Sequence, residues 1–381
     1  MSPTIVLILV AGIQAGLWTW LALFPIRAHA RRLGLLDRPG GHSSHDIPTP
    51  LGGGLGIFAG LLATIALATM AAGVLRTGVP AWLTRLPPDL VQAAATHAPG
   101  VWSRMDDVWW LMAACAVLVA TGLIDDRVGL PVTLRLGIQF GIAAATVWGL
   151  NIELTAYVQL PWLTKLLSVI WIVTVINSFN MLDNMDTLSS GVAAIIAASM
   201  AAVMFTTPDP GTARPQLLVA ALLIVVTGSL VGFLFHNRPP AKIFMGDGGS
   251  YLVGYLISVS MLMATYAGTS GSSWRPHAVL APLCAMAVPL YDMTTVLWIR
   301  IREGRSPFQG DHSHLSHRLV ELGLSRTGAV ATIHLVTITC GLSALLLTHV
   351  SVLQALTVLG IVACMLMLLA ILESTAWRRT S

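Results

Sequence analysis

Carboxylates, amides and histidines recur along this chain in four short groups separated by apolar sequence. They are Asp125 and Asp126 after Gly122-Leu-Ile; Asn177, Asn180, Asp183 and Asp186; Lys242 through Asp247 to Ser250; and Arg300 through His314 to Arg318. Ionisable side chains inside or beside apolar segments are costly to desolvate, so their default reading is functional. Adjacent carboxylates such as Asp125 and Asp126 raise each other's pKa unless a cation or donor compensates. The pair therefore points to a metal, a phosphate-bound proton or a nearby base. Taken alone, it also reads as a solvated helix end.

The second group breaks an apolar run with asparagines and aspartates three apart. If helical, Asn177, Asn180 and Asn184 form a narrow stripe with Asp183 and Asp186 on its flank. Amide and carboxylate oxygens together suit a hard cation such as Mg²⁺, whereas a helix cap needs only one such residue. In the third group, glycines let a backbone approach a ligand, and free N–H groups at a helix start favour an anion. Asp247 sits poorly beside a bare phosphate. It fits better holding Mg²⁺ that bridges phosphates, with Lys242 adding positive charge; a capped turn is the alternative. In the fourth group, His314 and His317 at i, i+3 suit zinc or phosphate oxygens. With no cysteine near and arginines such as Arg305 abundant, a phosphate-binding basic patch is preferred to zinc, and a basic loop drawn to anionic lipid competes with it. The stretch from Asp37 to Gly54, rigid at its prolines and open at its glycines, reads equally as a connector.

The elements that position these groups follow from composition. Of 381 residues, 55% are hydrophobic and 10% charged, and the mean hydropathy is +0.78. A soluble core of this length needs far less apolar side chain. The expectation is an all-α polytopic membrane protein with about 11 transmembrane helices. They fall at roughly 4–26, 51–75, 108–124, 133–150, 162–179, 188–206, 216–236, 250–267, 279–299, 329–349 and 352–373. With the amino terminus outside, 15 of the 21 Lys and Arg residues fall on the inner side, which supports an N-out, C-in arrangement. The first span ends in Ala28-His-Ala30, yet it has no basic start and its apolar run is too long for a signal peptide, so it is expected to stay uncleaved.

A single integral membrane domain is expected over residues 1–381, with the chemistry in the inner loops 27–50, 125–132, 180–187, 237–250 and 300–328. The outer segment Arg76–Asp107 reads as a proline-interrupted loop, its Trp102, Trp109 and Trp110 suiting a membrane interface. All four cysteines fall in predicted spans, so they read as small core residues rather than a disulfide framework. Membrane lipid is an expected partner; nucleic acid is not.

Together these residues resemble the polyprenyl-phosphate N-acetylhexosamine-1-phosphate transferases, glycosyltransferase family 4. The resemblance runs from about Gly34 to Arg326, with the four motifs in the family's order. In that family Gly-Leu-x-Asp-Asp, Asn-x-x-Asn-x-x-Asp-x-x-Asp-Gly, Phe-Met-Gly-Asp-x-Gly-Ser and a His-x-His-His loop line a cytoplasmic cleft. The resemblance implies that a sugar 1-phosphate, GlcNAc-1-phosphate foremost, passes from a UDP-sugar to undecaprenyl phosphate. The products are undecaprenyl-diphosphate-sugar and UMP, the first membrane step of an envelope glycan such as O-antigen lipopolysaccharide or teichoic acid. It implies Mg²⁺, replaceable by Mn²⁺, held by Asn180 and Asp247, with Asp125, Asp126 and Asp183 in the chemistry. It further implies that Asp186, Lys242, Arg305, His314 and His317 contact substrates. The expected location is the bacterial inner (plasma) membrane, with the active site on the cytoplasmic face and homodimerisation open.

A phosphate monoester has a second pKa of about 6, so the acceptor is already largely dianionic at neutral pH and no general base is required. Asp125 or Asp126 is instead expected to position the attacking phosphate, its proton or a Lys/Arg partner. The chain departs from the family at Asn184 and Thr187, where glycines are usual, at Gly248, where serine is common, and at Ser316, which replaces the middle histidine. Asn184 and Thr187 are expected to narrow or polarise the nucleotide pocket, and Ser316 to remove a cationic donor near the sugar. Two other functions compete. One is the phospho-MurNAc-pentapeptide translocase. The other is a transporter of lipid-linked sugars, which calls for ionisable groups deep in spans, where Asp292, Asn177 and His334 are the candidates.

Overall fold

Leu, Ile, Val, Ala and Met runs placed in hydrocarbon leave the backbone only internal partners for its N–H and C=O groups, and helices satisfy them. The computed structural model describes residues 2–37, 48–154, 160–208, 215–264, 275–308 and 313–380. In chain order the helices are α1 (Pro3–His29), α2 (Gly53–Leu75), α3 (Pro88–Ser103), α4 (Met105–Val128), α5 (Val132–Gly149), α6 (Pro161–Leu182) and α7 (Leu188–Thr206). They continue with α8 (Leu217–Asn237), α9 (Gly246–Met263), α10 (Ala281–Ala285), α11 (Ala287–Arg302), α12 (Leu315–Glu321), α13 (Arg326–Leu347) and α14 (Val352–Thr380). Two short strands, Leu36–Asp37 and Thr49–Pro50, pair antiparallel with Leu36 opposite Pro50.

The fold is the expected all-α polytopic membrane protein. Among the described residues nine helices are long and apolar enough to cross a membrane, or ten if the bent pair Pro276–Ala285 and Ala287–Arg302 forms one span. The ninth expected span is that pair, broken by 65° beside Met286. The eighth is α9, whose Gly-Asp-Gly-Gly-Ser start dilutes its hydropathy. Every residue of α9 from Gly248 to Met261 is buried, so this helix is the centre of the bundle and meets protein rather than lipid.

Three boundaries differ from the sequence expectation in ways that matter below. Helix α4 runs to Val128, so Asp125 and Asp126 lie in its last turns, not in a loop. Helix α6 stops at Leu182 with Asp183 as its C-cap, which takes Asn184 off the helix and breaks the Asn177–Asn180–Asn184 stripe. The outer segment holds a short 3₁₀ helix, Ala81–Arg85, and the 16-residue α3, because Pro88 sits in the first turn, where its missing N–H costs nothing. Cys115, Cys284 and Cys340 are buried free thiols, whereas Cys364 is exposed on α14.

Candidate functional site

The site begins with three helices that touch backbone to backbone. A Cβ added to Gly122 of α4 would lie 2.1 Å from the Gly248 nitrogen, and one added to Gly54 of α2 would lie 2.2 Å from the Gly249 nitrogen. Only glycine permits this approach, so α2 and α4 clamp the first turn of α9. Main-chain bonds lock it: Gly53 N–H and Gly54 N–H donate to the Phe244 and Met245 carbonyls, and Phe244 N–H donates to Pro50, each at 2.9 Å. Gly248 and Gly249 of the third motif thus serve helix contact, whereas Gly246 lines the cavity described below. The start of α9 is also already capped, because Asp126 Oδ1 accepts the Asp247 N–H at 3.0 Å.

This clamp sets the acidic wall. Asp125 is buried and fully engaged: Oδ1 accepts the Leu130 N–H at 2.7 Å, while Oδ2 accepts Arg135 Nη1 at 2.7 Å and Tyr251 Oη at 3.1 Å. The same Arg135 nitrogen lies 3.7 Å from Asp247 Oδ2. Across the wall, Asn180 Nδ2 donates to Asp247 Oδ1 at 2.6 Å and to Ser250 Oγ at 3.1 Å. One turn earlier on α6, Asn177 Nδ2 donates to Gln139 Oε1 at 2.7 Å.

Between the walls runs the turn 183–187. Burial together with the nearby charges of Asp126 and Asp186 pushes the Asp183 carboxyl up to about 8. Asp186 Oδ2 accepts the Ala241 N–H at 3.0 Å. Thr187 adopts φ 63°, a left-handed backbone that is rare for a β-branched residue. It is held there by Thr187 N–H to Asn237 Oδ1 at 2.7 Å and by His334 Nε2 against the Thr187 carbonyl at 3.2 Å.

The opposite wall carries the histidines. Asp292 of α11 is completely buried; its Oδ2 meets His314 Nδ1 at 2.8 Å and its Oδ1 accepts the Leu315 N–H at 2.6 Å. One carboxylate thereby orients the imidazole and caps α12. Ser316 Oγ donates to Asn184 Oδ1. Two of the departures from the family pattern are therefore partners that tie the turn to the histidine helix. Asn184 lines the cavity as expected, whereas Thr187 is not among the lining residues.

The walls enclose a cavity of about 600 Å³ at the end of the bundle where the motif-bearing connections meet. Of the expected residues, Asp126, Asn180, Asp183, Asp186, Asp247, His314 and His317 line it, and Asp125 stands behind it through Arg135. Lys242 is exposed and off the lining. Arg305 is also off the lining, its Nε donating to Glu303 Oε2 at 2.7 Å. Asp311 and His312 lie outside the described residues.

Among the lining residues five aspartates (Asp37, Asp126, Asp183, Asp186, Asp247) face two arginines (Arg135, Arg300). Asp126 Oδ2 and Asp186 Oδ1 are buried with no partner among the protein atoms. A surplus of hard oxygen donors with unmet lone pairs fits a hard dication. Among the described residues no three acidic, histidine or cysteine side chains form a ready cage.

Sequence reasoning missed Arg135, Tyr251 and Gln139 as site residues, and carried Arg300 only as the start of the basic patch. Arg135 entered only as an inside-face charge, although it stands within an apolar span, which was the available signal. The deep groups Asp292, Asn177 and His334 all serve this same end of the bundle, holding His314, Gln139 and the Thr187 carbonyl.

Comparison with known proteins agrees with this geometry. The sequence profile of glycosyl transferase family 4 matches residues 108–265. The chain is 30% identical over 370 residues to a probable undecaprenyl-phosphate N-acetylglucosaminyl 1-phosphate transferase of Bacillus subtilis, covering 95% of this chain and 91% of that protein. It is 30% identical to a decaprenyl-phosphate N-acetylglucosaminephosphotransferase of Mycobacterium tuberculosis, over 85% and 78% of the two chains. It is 28% identical to the undecaprenyl-phosphate alpha-N-acetylglucosaminyl 1-phosphate transferase of Escherichia coli K12, over 84% and 78%.

Proposed function

The chain belongs to glycosyl transferase family 4, and from that premise we propose that it transfers N-acetylglucosamine 1-phosphate from UDP-GlcNAc to undecaprenyl phosphate, releasing UMP. An oxygen of the lipid phosphate bonds to the sugar-bearing phosphorus, and the diphosphate bridge breaks so that UMP leaves with the bridging oxygen. Both the entering and the leaving group are phosphate monoesters with a second pKa of about 6, so neither an obligatory base nor an acid is needed at neutral pH. The protein's work is positioning and charge balance.

The observation that carries the reading is the cavity's charge pattern. Asp247 and Asn180, in contact with each other, would hold Mg²⁺ with the help of the unpartnered Asp126 and Asp186 oxygens. When bound, the ion neutralises the diphosphate and supports the leaving charge. Arg135, aimed by Asp125, and Arg300 supply fixed positive charge for phosphate oxygens. Three donors already bond the Asp125 carboxylate and tie it to Leu130, Arg135 and Tyr251. We therefore assign it the role of holding Arg135, the partner that the sequence left unnamed. His314, oriented by Asp292, and His317 line the cavity, and we assign them to the donor.

The proposed location of the cavity is the cytoplasmic face of a bacterial plasma membrane, where a lipid headgroup and a soluble nucleotide sugar meet. The positive charge near the motif-bearing connections supports this placement. The test is UMP release by the purified protein with undecaprenyl phosphate, Mg²⁺ and a panel of UDP-sugars. UMP from UDP-GlcNAc above all others is expected; no UMP from any sugar would refute the assignment.

A further inference from the structure

Helix α14 faces outward along most of its length, with Leu353, Leu356, Ile361, Leu368 and Ile371 all more than half exposed. One seam turns inward. Ala355, Val362 and Leu369 are buried, and Leu359 and Leu366 pack partly buried against the core; their alternating spacing of four and three marks one helix stripe. The next position on that stripe is Glu373, and it too is buried, at 7% exposure. A carboxylate on the inward seam of a span is expensive unless something compensates it.

The compensation comes from the histidine wall. Glu373 Oε2 lies 3.1 Å from Arg318 Nη2 and accepts Tyr291 Oη at 3.0 Å. Arg318 follows His317 directly on α12, and its Nη2 also donates to Thr295 Oγ1 at 3.0 Å. Tyr291 and Thr295 flank Asp292, the residue that holds His314. Glu373 thus closes a ring that runs from α14 through α12 to α11 around both histidines, yet neither Glu373 nor Arg318 lines the cavity.

We infer that Glu373 is a positioning residue: through Arg318 it fixes α12 so that His314 and His317 stay presented to the cavity. Arg318, which the sequence places in a phosphate-binding patch, acts as the strut. The inference rests on the transferase reading for its kinetic consequence, but not for its structural one.

The full-length protein in lipid nanodiscs supplies two independent readouts. In hydrogen exchange, Glu373→Ala is expected to speed exchange of the 313–322 amides while leaving 246–263 unchanged. Unchanged exchange over 313–322 refutes the clamp whatever the chemistry. In UMP-release kinetics, Glu373→Ala is expected to lower kcat/KM for UDP-GlcNAc by about 10-fold to 10²-fold through misplacement, with the KM for undecaprenyl phosphate unmoved.

The double variant Glu373→Met with Arg318→Met separates positioning from bare stability, because it leaves no unpaired charge and should melt near wild type. It is expected to retain the donor defect. Recovery of donor kinetics along with the melting temperature would show the pair to be structural only and overturn the proposal. A wild-type protein that releases no UMP refutes the transferase reading instead, and the exchange result alone then judges the clamp.

Discussion

The acidic wall, built from α2, α4, α6 and α9, is fixed by main chain: Gly54 and Gly122 meet Gly249 and Gly248 at distances no side chain allows, and Asp126 caps α9. The histidine wall, built from α11 and α12, is fixed by side chains reaching across the fold: Asp292 to His314, Ser316 to Asn184 and Arg318 to Glu373. The first should fail all at once when its contact is wedged open. The second should loosen by degrees, one bond at a time.

The sharpest way to break the contrast is Gly122→Val. A branched side chain at a site where even a Cβ meets backbone at 2.1 Å should cost at least about 3 kcal/mol and abolish transfer. The check is a melting temperature together with UMP release. A variant that melts like wild type would mean that the acidic wall is not held by this contact.

Next comes Asp125→Asn, expected to lose about 10²-fold in kcat/KM by releasing Arg135, as misplacement of a positioned group can. The loss should persist as pH is raised. A pH–rate profile that recovers at high pH would return Asp125 to the role of general base.

On the other wall, Asp292→Asn keeps the shape and removes the charge. It should cost about 10-fold in kcat/KM for the donor, since an amide replaces a charge-assisted bond worth about 2 kcal/mol. A loss equal to that of Gly122→Val would erase the distinction between the walls.

A test of another kind, read from stability rather than from rate, is a pH slope from Asp183. Its carboxyl is pushed up to about 8 in the fold and titrates near 4 when unfolded. Between those values the folded state holds a proton that the unfolded state has released, so stability falls as pH rises from about 4 to about 8 and then levels off. Melts without divalent ions should show this slope in wild type and a flatter one in Asp183→Asn; identical slopes would remove Asp183 as its source.

The two walls also differ in how far they could be read from sequence. The acidic wall was legible because its residues form short contiguous motifs, and Asp126, Asn180, Asp183, Asp186 and Asp247 do line one cavity. The histidine wall was half legible. His314 and His317 stood in a motif, but what orients them is Asp292 and Glu373, single acids in apolar spans whose partners lie 22 and 55 residues away. Spacing within a motif cannot reveal such pairs, because only the packing of α11, α12 and α14 brings them together. The same limit hid Arg135, which lies on α5, and gave no sign that Lys242 and Arg305 stand off the cavity lining. Charge type alone does not say whether a side chain turns toward the cavity.

Span positions were read well where lipid sets the composition, and for α9 the expected start at residue 250 falls just inside the helix (Gly246–Met263). That helix meets protein on every side and so carries a polar start that hydropathy discounts.

Asp247, backed by Asn180, is the proposed divalent-metal site at which the sugar phosphate is transferred. It is tested most directly by UMP release from UDP-GlcNAc and undecaprenyl phosphate as Mg²⁺ is titrated, for wild type and Asp247→Ala side by side. A saturable Mg²⁺ requirement is expected in wild type, with a fall of about 10³-fold in the variant. Full activity without divalent ions, or undiminished activity in Asp247→Ala, would contradict it.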